Sequence, residues 1–181
     1  MRLLRTFIFV DLSGFTNFTE RNGDEAATEL LAKFRAIARS VGSDHGVRID
    51  KYLGDGLMAV AVEASVGIIF SVELQRHAAN SCAPLDLRIG IATGETILFE
   101  GQDYIGSAPN LAARLCDAAA GLGALIPADQ ATDLPHGIVA HPLKPMNLPG
   151  FAVPIEAVSL SGELAVELRG DRADLLARPI R

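Results

Sequence analysis

Among the 181 residues there is no run of Lys and Arg interleaved with aromatics, and the net charge is −6. A protein that grips a nucleic-acid backbone carries a basic footprint, so nucleic acid is not expected as a partner. A secretory leader is not expected either. The start, "MRLLRTFIFVDLSGF", is positive and briefly apolar, but it breaks at Asp11 and lacks a small-residue cleavage site. The longest uncharged apolar stretch, "ASVGIIFSV" (64–72), is far too short to cross a bilayer, so no membrane is expected. Cysteine is scarce. Cys82 and Cys116 form no C-x-x-C, and His45, His77, His136 and His141 are scattered. That spacing disfavours a Cys/His metal centre and predicts free thiols in a reducing, cytoplasmic setting. Internal repeats and low-complexity linkers are absent as well.

Core material is ample. Hydrophobic residues make up 49% of the chain and charged residues 21%, an ordinary globular balance for one domain. "LLRTFIFVDL" (3–12) reads as a buried strand, and "SGFTNFTERNGD" (13–24) as turn-like. Residues 24–46 read as a helix with Asp24 as N-cap and Leu30, Leu31, Phe34, Ile37 and Val41 on one face. Residues 47–53 and 57–62 read as a hairpin around Gly-Asp-Gly. A second helix is expected over 63–81, a strand pair bending near Gly94 over 85–101, and a third helix over 106–121. Short strands at 124–127 and near 152–160 close the domain. The order predicts an α+β fold with a ferredoxin-like βαββαβ core, its helices packed on one face of an antiparallel-centred sheet, and further C-terminal strands and helices. The domain is expected to span 1–160. The charged tail, 161–181, reads as a surface helix or a disordered end.

Three polar islands interrupt this apolar pattern. In "FVDLSGFT" (9–16), Asp11 ends a strand, where a lone acid is costly unless paired or metal-bound. The small residues after it open into a helix, an arrangement that leaves backbone N–H groups for phosphate oxygens. The bland alternative is that Asp11 and Ser13 cap that helix. In "VRIDKYLGDGLMAV" (47–60), Lys51 and Asp55 stand on or beside a hairpin turn. An antiparallel order brings Asp55 toward Asp11 at one sheet end, and paired carboxylates beside a phosphate site suit Mg²⁺ or Mn²⁺. Asp-Gly is also a common turn pair. In "GQDYIGSAPNLAARL" (101–115), Asn110 and Arg114 are four apart and share a helix face beside the Leu111/Leu115 stripe. An exposed Asn and Arg are ordinary on a surface helix, and Asp103 is an ordinary loop residue.

Taken together, "FVDLSGFT", "KYLGD", "LRIGIATGE" and "DYIGSAPNLAARL" resemble the motifs of the class III nucleotidyl cyclases, most of all bacterial single-domain adenylate cyclases. The likeness runs in family order over residues 5–160. It implies metal ligands at Asp11 and Asp55 for two Mg²⁺ or Mn²⁺ ions. It implies adenine contacts from Lys51 and Asp103, a phosphate loop at Ser13, Gly14, Phe15 and Thr16, a ribose-orienting Asn110 and a transition-state Arg114. It further implies ATP as substrate, cyclic AMP and pyrophosphate as products, and a head-to-tail homodimer whose two active sites each draw on both subunits. The base-reading pair agrees with elementary chemistry. An ammonium donates to adenine N1 and a carboxylate accepts from its N6 amine, whereas guanine presents the reverse pattern.

The chain also departs from the family pattern. Many relatives carry a triphosphate-binding Lys in a Leu-Lys-Gly; here "NLPGFAVPIEAV" (147–158) puts Pro149 at that place, with Lys144 five residues earlier. Pro109 precedes Asn110 where an aliphatic residue is usual, a position in the first helical turn that tolerates proline. A weak cyclase is therefore expected. The competing expectation is a weak or inactive cyclase-like module that binds nucleotide and regulates a partner.

Overall fold

The computed structural model describes residues 2–101 and 103–162. Among them are eight strands, three α-helices and a 3-10 turn at Ala128–Gln130: β1 (Arg2–Leu12), α1 (Phe15–His45), β2 (Arg48–Leu53), β3 (Gly56–Ala61), α2 (Ala64–Ser81), β4 (Leu87–Phe99), β5 (Asp103–Ile105), α3 (Ser107–Ala118), β6 (Ala124–Pro127), β7 (Ile138–Pro142) and β8 (Ala157–Gly162). The sheet order is β2-β3-β1-β4-β6-β8-β7, with β5 on β4. Among the described strands only β4 and β6 pair in parallel. The expected βαββαβ core is present as β1-α1-β2-β3-α2-β4.

Strand β1 sits near the middle and its side chains alternate. Ile8, Val10 and Leu12 join a core with Leu30, Phe34 and Val41 of α1 and Ile68, Phe70 and Leu74 of α2. Phe7 faces the other way, with Met58, Val60, Ala92 and two alanines of α3, Ala108 and Ala112. Thus the two core helices share one face, as period-two alternation requires, and α3 covers the opposite one. Burying side chains as large as Phe7, Phe34 and Phe70 stabilises the fold by about 1.5–3 kcal/mol each.

Three local expectations are corrected. Helix α1 starts at Phe15, nine residues before Asp24, because Phe15 and Phe18 pack on the core. It continues past Gly23, whose φ of 85° and ψ of 167° break the helix at a conformation reserved for glycine. Asp24 therefore opens the second helical segment of α1, where a helix start was expected, and the non-helical residue just before it is Gly23. Strand β4 does not bend at Gly94. It pairs with β1 from Arg2↔Ile97 to Leu12↔Leu87, so its register leaves no room for a turn there. The reversal comes instead at Glu100 and Gly101, both with positive φ. Strand β7 was not anticipated, and β8 lies at Ala157–Gly162. β6 pairs with β4 only at Ile89 and Gly90. Further along, the Gln130 amide takes over the ladder: it accepts from Thr93 N–H at 2.7 Å and donates to Thr93 O at 3.0 Å. The expectation for the tail lies outside the described residues from position 163 on. Among the described residues, no helix is long and apolar enough to cross a membrane.

Candidate active site

Asp11 and Asp55 meet. β1 runs antiparallel to β3, with Val10 opposite Leu57. The last residues of β1 therefore lie against the two-residue turn Gly54-Asp55. Burial pushes the Asp55 carboxyl above its ordinary value, and the neighbouring Asp11 carboxylate pushes it further in the same direction. Gly56 makes this approach possible, since a Cβ there would stand 2.6 Å from Val10 O and 3.2 Å from Asp11 Oδ1. The turn is also braced from outside. Arg35 of α1 donates to Gly54 O at 2.9 Å and lays its guanidinium 4.6 Å from the Tyr52 ring centre.

Arg88 was missed from the sequence. It lies opposite Asp11 in register and pairs with it, supplying a positive counter-charge to the two acids. The signal was a single Arg inside the apolar "LRIGIATGE" strand. The donor set suits a hard divalent cation: two facing carboxylates and no imidazole or thiolate. Among the described residues no third His, Cys, Asp or Glu joins them. A Mg²⁺-like ion bound there would complete its shell with water and substrate phosphate.

The capping alternative for the first island is not what forms. Helix α1 has Gly14 as N-cap, in the left-handed conformation with φ 83°, and no side chain caps it. Ser13 N–H is already used, donating to Asp86 O at 2.8 Å. First-turn N–H groups at Phe15 and Thr16 have no side-chain partner and lie just beyond Asp11, where an anion would gain from the helix dipole.

Lys51 and Asp103 are also brought together, 52 residues apart in sequence and joined ammonium to carboxylate. The contact with Asp103 raises the Lys51 pKa. Two features produce it. β2 has a bulge between Ile49 and Lys51, which turns Lys51 onto the face of Met58 and α3. Tyr104 packs edge-on against Phe7, ring centres 5.1 Å apart, and so draws β5 over that face.

Asn110 and Arg114 lie on the exposed side of α3 and line a cleft of about 410 Å³ with Ser107, Ala113, Pro149, Gly150 and Phe151. Pro149 thus stands directly beside Asn110 and Arg114. Lys144 is exposed and does not line the cleft, so among the described residues Arg114 is its one charged side chain. Arg114 is held by Asp117 at 3.1 Å, one turn further along the helix. Among the described residues of one chain, no hydrogen bond or ion pair joins the Asp11/Asp55 group, the Lys51/Asp103 pair and the α3 cleft to one another.

No family model matches the chain. An uncharacterized protein of Mycobacterium tuberculosis is 35% identical over 152 residues, covering 84% of this chain and 40% of its own length. An adenylate cyclase of Streptomyces coelicolor is 34% identical over 107 residues, covering 59% of this chain and 28% of that protein. The chain therefore spans less than half the length of these relatives. Among solved structures, the adenylyl cyclase CyaB from P. aeruginosa superposes with a TM-score of 0.77 at 23% identity, covering 91% of this chain and 96% of that one. The guanylate cyclase domain of RhGC from Catenaria anguillulae, in complex with GTP, gives 0.75 at 16% identity, covering 91% and 100%. The resemblance read from the four motifs is borne out: the chain has the fold of the class III adenylyl and guanylyl cyclase catalytic domains.

Proposed function

We propose that the chain is an adenylate cyclase that converts ATP to 3′,5′-cyclic AMP and pyrophosphate, acting as a head-to-tail homodimer. The fold supports a nucleotidyl cyclase without choosing the base, since adenylyl and guanylyl cyclases share it. The observation that carries the choice of ATP is the Lys51–Asp103 pair. Opened by a purine, it offers a donor to N1 and an acceptor to the N6 amine of adenine. Guanine would meet a donor with its N1–H and an acceptor with its O6, setting like groups against each other.

The ribose 3′-oxygen attacks the α-phosphorus, the bond to the bridging oxygen breaks, pyrophosphate leaves and the hydroxyl proton passes to water. Asn110 orients the ribose for that attack. Arg114 exchanges Asp117 for the α-phosphoryl oxygens and stabilises the charge that builds there, a contribution worth about 3 kcal/mol. Mg²⁺ or Mn²⁺ held by Asp11 and Asp55 would supply acidity at the 3′-hydroxyl and neutralise the triphosphate. The N–H groups of the Ser13–Thr16 turn favour the same phosphates. Pro149 brings no charge to the cleft, which favours slow turnover.

The dimer accounts for the separation of the three groups in one chain. One subunit supplies Asp11 and Asp55, and its partner supplies Lys51, Asp103, Asn110 and Arg114, giving two composite sites by symmetry. The proposed setting is the cytoplasm, in keeping with two unpaired cysteines, Cys82 and Cys116. A second reading, a nucleotide-binding regulatory module, is favoured only by Pro149. The deciding experiment is incubation with ATP or GTP and Mn²⁺, with cyclic nucleotides quantified. Cyclic AMP in excess of cyclic GMP, lost in Asp55→Ala, is the expected result. No product from a verified dimer would favour the module.

A further inference from the structure

Asp50 is the inserted residue of the β2 bulge, between Ile49 opposite Ala59 and Lys51 opposite Met58. Its side chain is only 8% exposed. One carboxylate oxygen takes the Arg48 guanidinium; the other, Oδ2, is buried without a hydrogen-bond partner. A buried carboxylate with an idle oxygen is costly, and a bulge does not require one.

Two rungs tie β5 to β2. Lys51 reaches Asp103, and Arg48 Nη2 donates to the Tyr104 hydroxyl at 2.9 Å. Two cations, Arg48 and Lys51, and two anions, Asp50 and Asp103, therefore share one patch. A guanidinium clamps a carboxylate more firmly than an ammonium does. Left without Asp50, Arg48 competes with Lys51 for Asp103 and offers a second donor to the carbonyl of a guanine. Asp50 removes that competition by engaging Arg48. Its charge also attracts the Lys51 ammonium, which has three donors and must stay in place when a purine opens the Lys51–Asp103 contact.

We infer that Asp50 is a positioning residue for base recognition: by engaging Arg48 beside Lys51 in the bulge, it keeps Lys51 and Asp103 a matched donor and acceptor for adenine. This inference rests on the cyclase reading above. The test is steady-state kinetics with ATP and GTP in Mn²⁺ for the wild type, Asp50→Asn, and Asp50→Asn combined with Arg48→Gln, with thermal melts alongside. Asp50→Asn keeps the shape and removes the charge. It is expected to raise KM for ATP and to cut the ATP-over-GTP ratio of kcat/KM, each about tenfold, with kcat within about threefold. Removing the competing guanidinium in the double variant should recover most of that selectivity, which a merely structural defect would not allow. Asp50→Ser carries the same expectation if the amide prevents folding. An unchanged ATP-over-GTP ratio in an active Asp50→Asn enzyme overturns the inference, as does a double variant no more selective than the single one. A wild type that makes no cyclic nucleotide is instead a failure of the cyclase reading, and the role of Asp50 falls with it.

Discussion

Ile49 and Lys51 stand two residues apart in one strand and face opposite sides of the sheet. Ile49 lies opposite Ala59 and packs on the core beneath α1 and α2; Lys51 lies opposite Met58, on the side of α3. A regular strand would put both on one face. Lys51 would then point its ammonium into the core. The bulge makes it a candidate reader of a base.

Replacing that ammonium should therefore act on recognition more than on folding. Lys51→Glu presents an acceptor where adenine N1 needs a donor and repels Asp103. We expect KM for ATP to rise at least about tenfold, with the melting temperature changed little, because the Lys51–Asp103 pair is exposed and such pairs contribute about 0–1 kcal/mol. Parallel kinetics with ATP and GTP and a melting curve check this.

Asp55→Asn should separate activity from stability. In the unfolded chain this carboxyl titrates near 3.8; in the fold, burial and Asp11 raise it. Its ionised form thus costs stability above the folded pKa, and the cost fades as pH falls through that pKa toward 3.8. Without divalent cation at pH 7, Asp55→Asn should melt higher than wild type by roughly 2–4 °C. The gain should shrink on acidification and reverse in excess Mn²⁺, while cyclase activity is lost. A lower melting temperature in metal-free buffer would contradict the repulsion between Asp11 and Asp55.

Gly56→Ala should damage the site through the backbone. The new methyl would meet Val10 O at 2.6 Å and press on Asp11 Oδ1. A carbonyl in a paired strand cannot move aside as a flexible side chain can. The expected loss is about 1–3 kcal/mol of stability, seen as a lower denaturation midpoint, with weaker activation by Mn²⁺.

Mixing two dead chains tests the shared site. Asp55→Ala removes one half-site and Arg114→Ala the other, so a heterodimer regains one complete site of two. With exchange complete, half the dimers are heterodimers, each with one good site, and about a quarter of wild-type activity should return. Verified heterodimers with no activity would exclude the composite arrangement.

Part of this molecule was determined by the sequence alone. Period-two alternation in "FIFVDL" and a Gly-Asp-Gly turn require β1 and the β2–β3 hairpin, and antiparallel pairing then brings Asp11 and Asp55 to one end of the sheet. Helical spacing likewise sets Asn110 and Arg114 on one side of α3 and buries Leu115. These follow from local periodicity. Other features were decided only by tertiary structure, because they depend on what lies across the sheet. The bulge at Asp50 exists only relative to β3, and the sequence around it reads as a plain strand. Arg88 becomes a partner of Asp11 only through the β1–β4 register, which also keeps β4 straight through Gly94. A helical segment precedes Gly23 where the sequence reads as a turn, because Phe15 and Phe18 are packed on the core. Asp103 reaches Lys51 because the Tyr104 ring docks on Phe7, a contact between residues 97 apart that no local pattern encodes.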